Sequence, residues 1–576
     1  MSFAGRGRTP ALGQSPIADR DTGRARTRRL AQDTITTIPG RSMYQQVYDP
    51  VADSLGLTSL FAAIPLTLMF VMLGVFKRSP QLSALVSLAA TVAVATLVYP
   101  MPFSAALNSG LFGVAFAILT IAWILVNAMW IYNMTVETGY FGVLRESFCR
   151  ISDDLRIQAI IIAYCFGALI EALAGSGVPI AICSAMLVAI GFNPVKAAVV
   201  ALVADTAPVA FGALAVPITT LNRMTDLPYN VLGAMVGRQC PIIALVVPFV
   251  LVLIVDGVRG VRATWPVALA AGLAFALAQF VVSNFVAVPL SDIVASLVSA
   301  AAVVALTRVW SPKSIMRGVG DSPKIEPSMG ATLLAYAPYI FIVVIFSLAQ
   351  VPTIASVLAH GAFAFQWPGL DLSQVDEAGK VRKINTILTV NYLSVAGTLL
   401  FISGILTMIA FRVSAAAAVR LFGATLVQVR WALATIFMIL AIAFVMNWSG
   451  QTTTLGRFLA GAGPAYALLS PVIGWIGVVV TGSDNSTNAL FGHLQVVAAK
   501  ETGISPVLLA ASNTTGGVLG KMLSPQSLAI GAAAVGLIGR EGEIFRSVFG
   551  WAVALLVGLC LFVYLQSTPV LGWMVP

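Results

Sequence analysis

The chain has 576 residues, 59% of them hydrophobic and only 10% charged, with a formal net charge of +10. A soluble domain carries about 25% charged residues, whereas apolar runs long enough to cross a bilayer recur here from Leu57 to the C-terminus. The excess of Lys and Arg lies before Arg41 and in short loops between apolar runs, which is the positive-inside pattern and not a nucleic-acid signal.

Residues 1–42 are rich in Arg, Thr, Pro and Gly, the composition of a disordered basic tail. They read as that tail or as an upstream extension, with Met43 as the working start. An amphipathic lead-in from Met43 precedes spans at 57–76, 82–100 and 111–133. Lys77 and Arg78 follow the first span, and Arg145, Arg150 and Arg156 follow the third. Both clusters point to the cytoplasm, so a chain starting at Met43 starts outside. Residues 43–156 form an N-terminal group of spans.

The next apolar stretch, 157–174, carries Glu171 and is cut by Gly175-Ser176-Gly177-Val178-Pro179. The run 180–190 is too short to cross, which predicts the return limb of a re-entrant hairpin. Asn193-Pro194 supplies an N-cap and a first-turn proline. The helix it starts meets Asp205-Thr206-Ala207-Pro208, where Pro208 removes a backbone donor and predicts a break.

The same order returns roughly 310 residues later. Gly482-Ser483 repeats the tip, Gly503–Val507 repeats the proline restart, and Asn513-Thr514 is the expected second break. Two repeat cores follow, at 157–255 and 448–576, each with a re-entrant hairpin and a broken helix. Between them, 256–447 supplies connecting spans. Across this middle of the chain, apolar runs fall at 241–256, 264–287, 290–308, 331–352, 386–411 and 428–447, and a final span lies at 549–565. The loop 311–330 reads as cytoplasmic and 358–385 as an external polar loop. If the copies are inverted, their polar tips meet near the bilayer midplane. The fold class is an all-α polytopic membrane protein with inverted repeats, two re-entrant hairpins and discontinuous helices.

A charge at membrane depth costs on the order of 3 kcal/mol unless it finds a partner, a proton or water. Glu171, Asp205 and Asp484 are candidate proton-coupling residues; the plainer readings are a structural hydrogen bond for Glu171 and helix capping for both aspartates. Ser176, Thr206, Ser483, Asn485, Ser486, Thr487, Asn513, Thr514 and Thr515 offer hydroxyls and amides at the tips and breaks, suited to a carboxylate solute at half-helix N-termini. Lys521 would pair with a substrate anion or with one of the acids; the alternative is snorkelling to an interface. His493 fits a pH-titrating group or a structural histidine. No Walker loop, His-Glu-x-x-His, Gly-x-Ser-x-Gly or metal-ligand cluster occurs. The sequence therefore points to a secondary transporter, with no cofactor and no enzymatic role.

Several dispersed segments resemble the lactate permease family of bacterial inner-membrane symporters. They include Tyr48–Pro50, CFGALIEALAGSGVPIAI at 165–182, TAPVAFGA at 206–213, NWSG at 447–450, TGSDNSTNALF at 481–491 and NTTGGVLGKMLSPQSLAIGAAAVG at 513–536. The resemblance runs from about Met43 to Pro576. It implies proton-coupled uptake of lactate, or of glycolate in some members, through an elevator-type transporter of the ion-transporter superfamily kind. The chain departs from the family pattern at Ala172, Leu173, Ser176 and Val178, at Asp205 where asparagine is usual, and at His493 where a small residue is usual. Sodium-coupled carboxylate symport is the alternative reading, followed by a channel or a membrane sensor. The expected partners are a small carboxylate, the coupling ion and membrane lipid, without nucleic acid; a homo-oligomer is compatible with this reading.

Overall fold

The structure, a computed structural model, describes residues 44–149, 151–175, 177–317, 328–349, 351–375 and 381–576. The expected tail at 1–42 and the candidate Ser176 lie outside the described residues. Among those described, ten helices are long and apolar enough to cross a membrane. They are Leu55–Val75, Pro80–Leu97, Phe103–Glu137, Leu155–Leu173, Tyr229–Phe285, Val288–Val309, Met329–Ala349, Ala415–Ser449, Gln451–Thr481 and Glu541–Gln566. A bent pair, Pro194–Ala204 and Val209–Thr225, turns by 59° and makes an eleventh if taken as one span.

Ten helices build or adjoin the buried polar cluster and are numbered in chain order. They are α1 (Leu155–Leu173), α2 (Val178–Ala189), α3 (Pro194–Ala204), α4 (Gly212–Thr225), α5 (Tyr229–Phe285), α6 (Ser291–Val309), α7 (Tyr466–Thr481), α8 (Asp484–Thr502), α9 (Pro506–Lys521) and α10 (Pro525–Ala534).

The punctuation read from the sequence sets most of these boundaries. Asn193 accepts from the amides of Val195 and Lys196 at 3.0 and 3.4 Å, and Pro194 follows at the first turn of α3. Ser483 caps α8 by accepting from the Ser486 amide at 3.3 Å. Left-handed glycines stand at the turns, Gly177 (φ 86°) before α2 and Gly482 (φ 75°) before α8. The break after α3 falls at Asp205–Pro208 as expected. A short 3-10 turn at Val209–Phe211 follows it, and then Ala213, Leu214 and Ala215 adopt left-handed φ of 45°, 56° and 60°. Left-handed backbone costs roughly 1–2 kcal/mol per L-residue, so this stretch is strained.

Other expectations are corrected. No break occurs at Asn513-Thr514: α9 is continuous from Pro506 to Lys521. The polar side chains there bond sideways to other helices and leave the backbone ladder intact. Gly516 and Gly520 let α9 pack against the backbone of α7, where a Cβ would meet the carbonyls of Pro471 and Trp475. The interruption falls at Met522–Ser524, before the proline start of α10. The runs 241–256 and 264–287 belong to one helical path, α5, turned at Gly257 where φ is 63° and ψ −157°, a conformation essentially restricted to glycine. The run 386–411 is a strand, Ile387–Asn391, followed by a helix of 15 residues, Ala396–Ala410. The segment read as an external polar loop contains a strand, Ala362–Gln366, that pairs antiparallel with Ile387–Asn391 just beyond it.

The chain divides into two units. In the small one, Tyr44–Gln45 pairs in parallel with Leu372–Ser373, and Ser373–Val375 pairs antiparallel with Val381–Lys383. The large one, Gln46–Leu370 with Ile384–Pro576, contains all the helices named above. Within it, the order helix, glycine turn, helix, left-handed glycine, proline-started helix, interruption, helix occurs twice, over 155–225 and 466–534. The packing is reciprocal: α4 lies on α8, and α10 lies on α2. The helix after each interruption thus rests on the return limb of the other set.

Candidate functional site

Lys521 ends α9 and is buried. Its Nζ lies 2.6 Å from Glu171 Oε1 and 3.1 Å from Asp205 Oδ2. Glu171 comes from the last turn of α1 and Asp205 from the end of α3, so the contact joins the two helix sets across 350 residues of sequence. An unpaired buried ammonium or carboxylate costs several kcal/mol; here Lys521 is buried and paired with both acids, and does not snorkel to an interface. Gly212 makes the approach to Glu171 possible: a Cβ there would lie 2.9 Å from Glu171 Oε1.

Glu171 and Lys521 open onto a cavity of about 260 Å³. That is smaller than the roughly 300–1,000 Å³ of pockets for drug-sized ligands, and it suits a small solute. Its polar wall includes Thr481, Ser483, Asp484, Asn485, Ser486 and Gln526. Two helix N-termini therefore face it, those of α8 and α10, each favourable to an anion. Asp484 is buried, and neither of its carboxylate oxygens has a hydrogen-bond partner among the described residues. Gly517 of α9 lies against it; a Cβ there would collide with Asp484 Oδ1. Asn485 Oδ1 accepts from the Thr220 hydroxyl of α4. Gln81, which also lines the cavity, donates through Nε2 to the Trp431 carbonyl at 3.4 Å.

Of the candidate residues, Glu171, Lys521, Ser483, Asp484, Asn485 and Ser486 converge on this cavity, and Asp205 touches it through Lys521. Five others do not line it. Thr206 Oγ1 donates to the Val203 carbonyl at 2.7 Å, closing the frayed end of α3. Thr487 Oγ1 donates to the Ser483 carbonyl at 3.1 Å. Asn513 Nδ2 and Thr514 Oγ1 donate to Asn488 Oδ1 at 2.9 and 3.0 Å, and Thr515 Oγ1 donates to Gln239 Oε1 at 2.9 Å. These residues tie α9 to α8 and α5. Asn488 extends the tie to α4 by donating to the Pro217 carbonyl at 3.1 Å.

Sequence reading missed Gln526 and Thr481, and it missed the bridging role of Asn488, which it groups with Ser486 and Thr487 as an amide suited to a carboxylate solute. Gln526 carried a signal, since Ser524-Pro525 is the same cap-and-proline start read correctly at Asn193-Pro194. Asn488 stood inside the polar tip with nothing to mark it as the hub.

Apolar helices crossing a membrane, a helix interrupted at its polar residues and a buried ionic cluster beside a small cavity define a polytopic membrane transporter. The L-lactate permease family model matches residues 58–570. The chain is 38% identical over 552 residues to an L-lactate permease of Salmonella typhi, covering 93% of this chain and 100% of that protein. It is 38% identical over 528 residues to the glycolate permease GlcA of Escherichia coli (strain K12), covering 87% and 94%. To an L-lactate permease of Bacillus subtilis (strain 168) it is 36% identical, covering 92% and 100%. Among solved structures, the YdaH transporter of Alcanivorax borkumensis aligns at a TM-score of 0.41 and 15% identity, over 78% of this chain and 86% of that one. The chain belongs to the L-lactate permease family and is a multi-pass inner-membrane transporter of bacterial type.

Proposed function

We propose that the protein carries L-lactate, or a related short 2-hydroxy monocarboxylate such as glycolate, inward together with protons. The observation that carries this reading is the pairing of Lys521 with two acids at the wall of a small cavity. Three buried carboxylates, Glu171, Asp205 and Asp484, and one buried ammonium give a net charge of −2 when all are ionised. A solute carboxylate would add another negative charge at membrane depth, where each uncompensated charge is costly. Solute and proton therefore enter together. Lys521 is already engaged, so it can receive the solute carboxylate only when an acid lets go. Protonation of Glu171 does this, since a neutral acid loses the charge-assisted part of its 2.6 Å contact.

In this mechanism Asp484 takes a proton when the cavity closes, because no donor among the described residues satisfies it. Ser483, Asn485, Ser486 and Gln526 orient the solute hydroxyl and carboxylate. The regions 157–255 and 448–576 act as two inverted repeat cores, and 43–156 with 256–447 as the surrounding spans. The reciprocal packing of α4 on α8 and α10 on α2 favours such a pseudo-two-fold arrangement. Followed span by span, α1 and α2 enter from the side of Lys77 and Arg78, and α7 and α8 from the other, as re-entrant hairpins. An elevator-like displacement of these cores against the surrounding spans would expose the site alternately.

Purified protein in proteoliposomes with an alkaline interior tests the reading. L-lactate should accumulate above its external concentration, independently of sodium, and a protonophore should collapse the accumulation. Equilibration without accumulation would overturn it.

A further inference from the structure

Another buried acid lies outside the cavity. Asp292, in the first turn of α6, is fully buried. Its Oδ1 accepts from Gln279 Nε2 of α5 at 2.9 Å. The same Nε2 lies 3.3 Å from the carbonyl of Ala207, inside the Asp205–Pro208 break. Asp292 Oδ2 and Gln279 Oε1 have no hydrogen-bond partner among the described residues, and Asp292 has no cationic partner among the ion pairs found there. A second cavity, about 510 Å³, is lined by Ala287, Val288 and Pro289 just ahead of Asp292, and by Thr219 of α4. Asp292 thus stands three residues after Pro289 on the wall of one cavity, without lining it, and through Gln279 it touches the segment that delivers Asp205 to the other.

We propose that Asp292 is a second proton-binding position of the transport cycle, and that Gln279 transmits its charge state to the break at 205–208. The inference rests on the proton-coupled reading above. A carboxylate holding one neutral amide bond and no cation is a costly buried charge, so in the conformation described here Asp292 holds a proton. When the second cavity admits water, the proton leaves to that water and the carboxylate becomes ionised. A charge-assisted hydrogen bond is roughly twice as strong as a neutral one. The protonated form described here leaves the Gln279 amide bonded to both Asp292 at 2.9 Å and the Ala207 carbonyl at 3.3 Å; the ionised form therefore tightens the first bond at the expense of the second. The other titratable groups facing Asp292 are Glu171 across the site, Tyr164 of α1 and Cys240 of α5. None of them is a cation, so none holds Asp292 ionised in this state.

Two readouts test the proposal on the full-length protein in lipid. The first is independent of transport: infrared difference spectra of the wild type between acid and alkaline buffer should contain a protonated-carboxyl band that is absent from Asp292→Asn. A band unchanged in the variant would overturn the proposal, because Asp292 would then not exchange a proton. The second is transport. Asp292→Asn and Gln279→Leu should both retain L-lactate counterflow within about threefold of wild type while accumulation falls to the equilibrium ratio of one. Wild-type accumulation in both variants would assign Asp292 to packing alone. A wild type that does not accumulate L-lactate defeats the functional reading, whereas the infrared band still decides the protonation of Asp292.

Discussion

Replacing Glu171 by Gln removes one of the two carboxylates on Lys521 and keeps the side chain's length. Lys521 retains Asp205 at 3.1 Å, so the ammonium is not orphaned. The cost is the difference between a charge-assisted and a neutral hydrogen bond, about 1–2 kcal/mol, and the protein should fold and insert. The effect on coupling is far larger. A gradient of two pH units supplies about 2.7 kcal/mol per proton, enough for roughly 100-fold accumulation at one proton per solute. Glu171→Gln imitates the protonated state permanently and leaves Lys521 with Asp205 as its one remaining carboxylate, able to receive solute. Accumulation in proteoliposomes should therefore fall from that ceiling toward one, while exchange of labelled for unlabelled L-lactate continues. Accumulation at the wild-type level would refute the assignment of Glu171 as the group that releases Lys521.

Lys521→Met should abolish L-lactate binding by calorimetry and destabilise the protein by about 3–5 kcal/mol, because two buried acids lose their cation; adding Glu171→Gln should recover part of the stability but none of the binding. Gly517→Ala should cut transport at least tenfold, with helix content by circular dichroism unchanged, because the new methyl displaces the Asp484 carboxylate. Asn488→Ala should lower thermal stability by about 2–4 kcal/mol, since it strands Asn513, Thr514 and the Pro217 carbonyl. Ala213→Gly should raise stability by about 0.5–1 kcal/mol in a thermal-shift assay, once the greater freedom of unfolded glycine is set against the relief of a left-handed alanine at φ 45°.

The elements legible in the sequence were those with a local physical cause. Asn193-Pro194 and Ser483 cap helices through their own side chains. Gly177 and Gly482 turn because other residues resist positive φ, and Pro208 cannot donate. The four ionisable residues stood out because charge in an apolar run is costly wherever it sits. What escaped were partnerships set by tertiary packing. Asn513, Thr514 and Thr515 look like a helix break when read along the chain, yet they form the seam of α9 with α8 and α5, and only the neighbouring helices reveal it. The union of Lys521 with Glu171 and Asp205 spans two halves of the chain, and no local pattern specifies which acids meet the lysine. The strand Ile387–Asn391 was missed because it shares one apolar run with the helix Ala396–Ala410, and composition alone does not separate them.

In the proposed cycle a solute carboxylate takes the place of Glu171 on Lys521. A high-resolution density map of the protein in lipid at acid pH with saturating L-lactate tests it most directly. The solute should lie in the cavity between α8 and α10, its carboxylate within hydrogen-bond reach of Lys521 Nζ and the Glu171 contact lengthened beyond 2.6 Å. Solute bound elsewhere, with the Lys521–Glu171 contact intact, would contradict it.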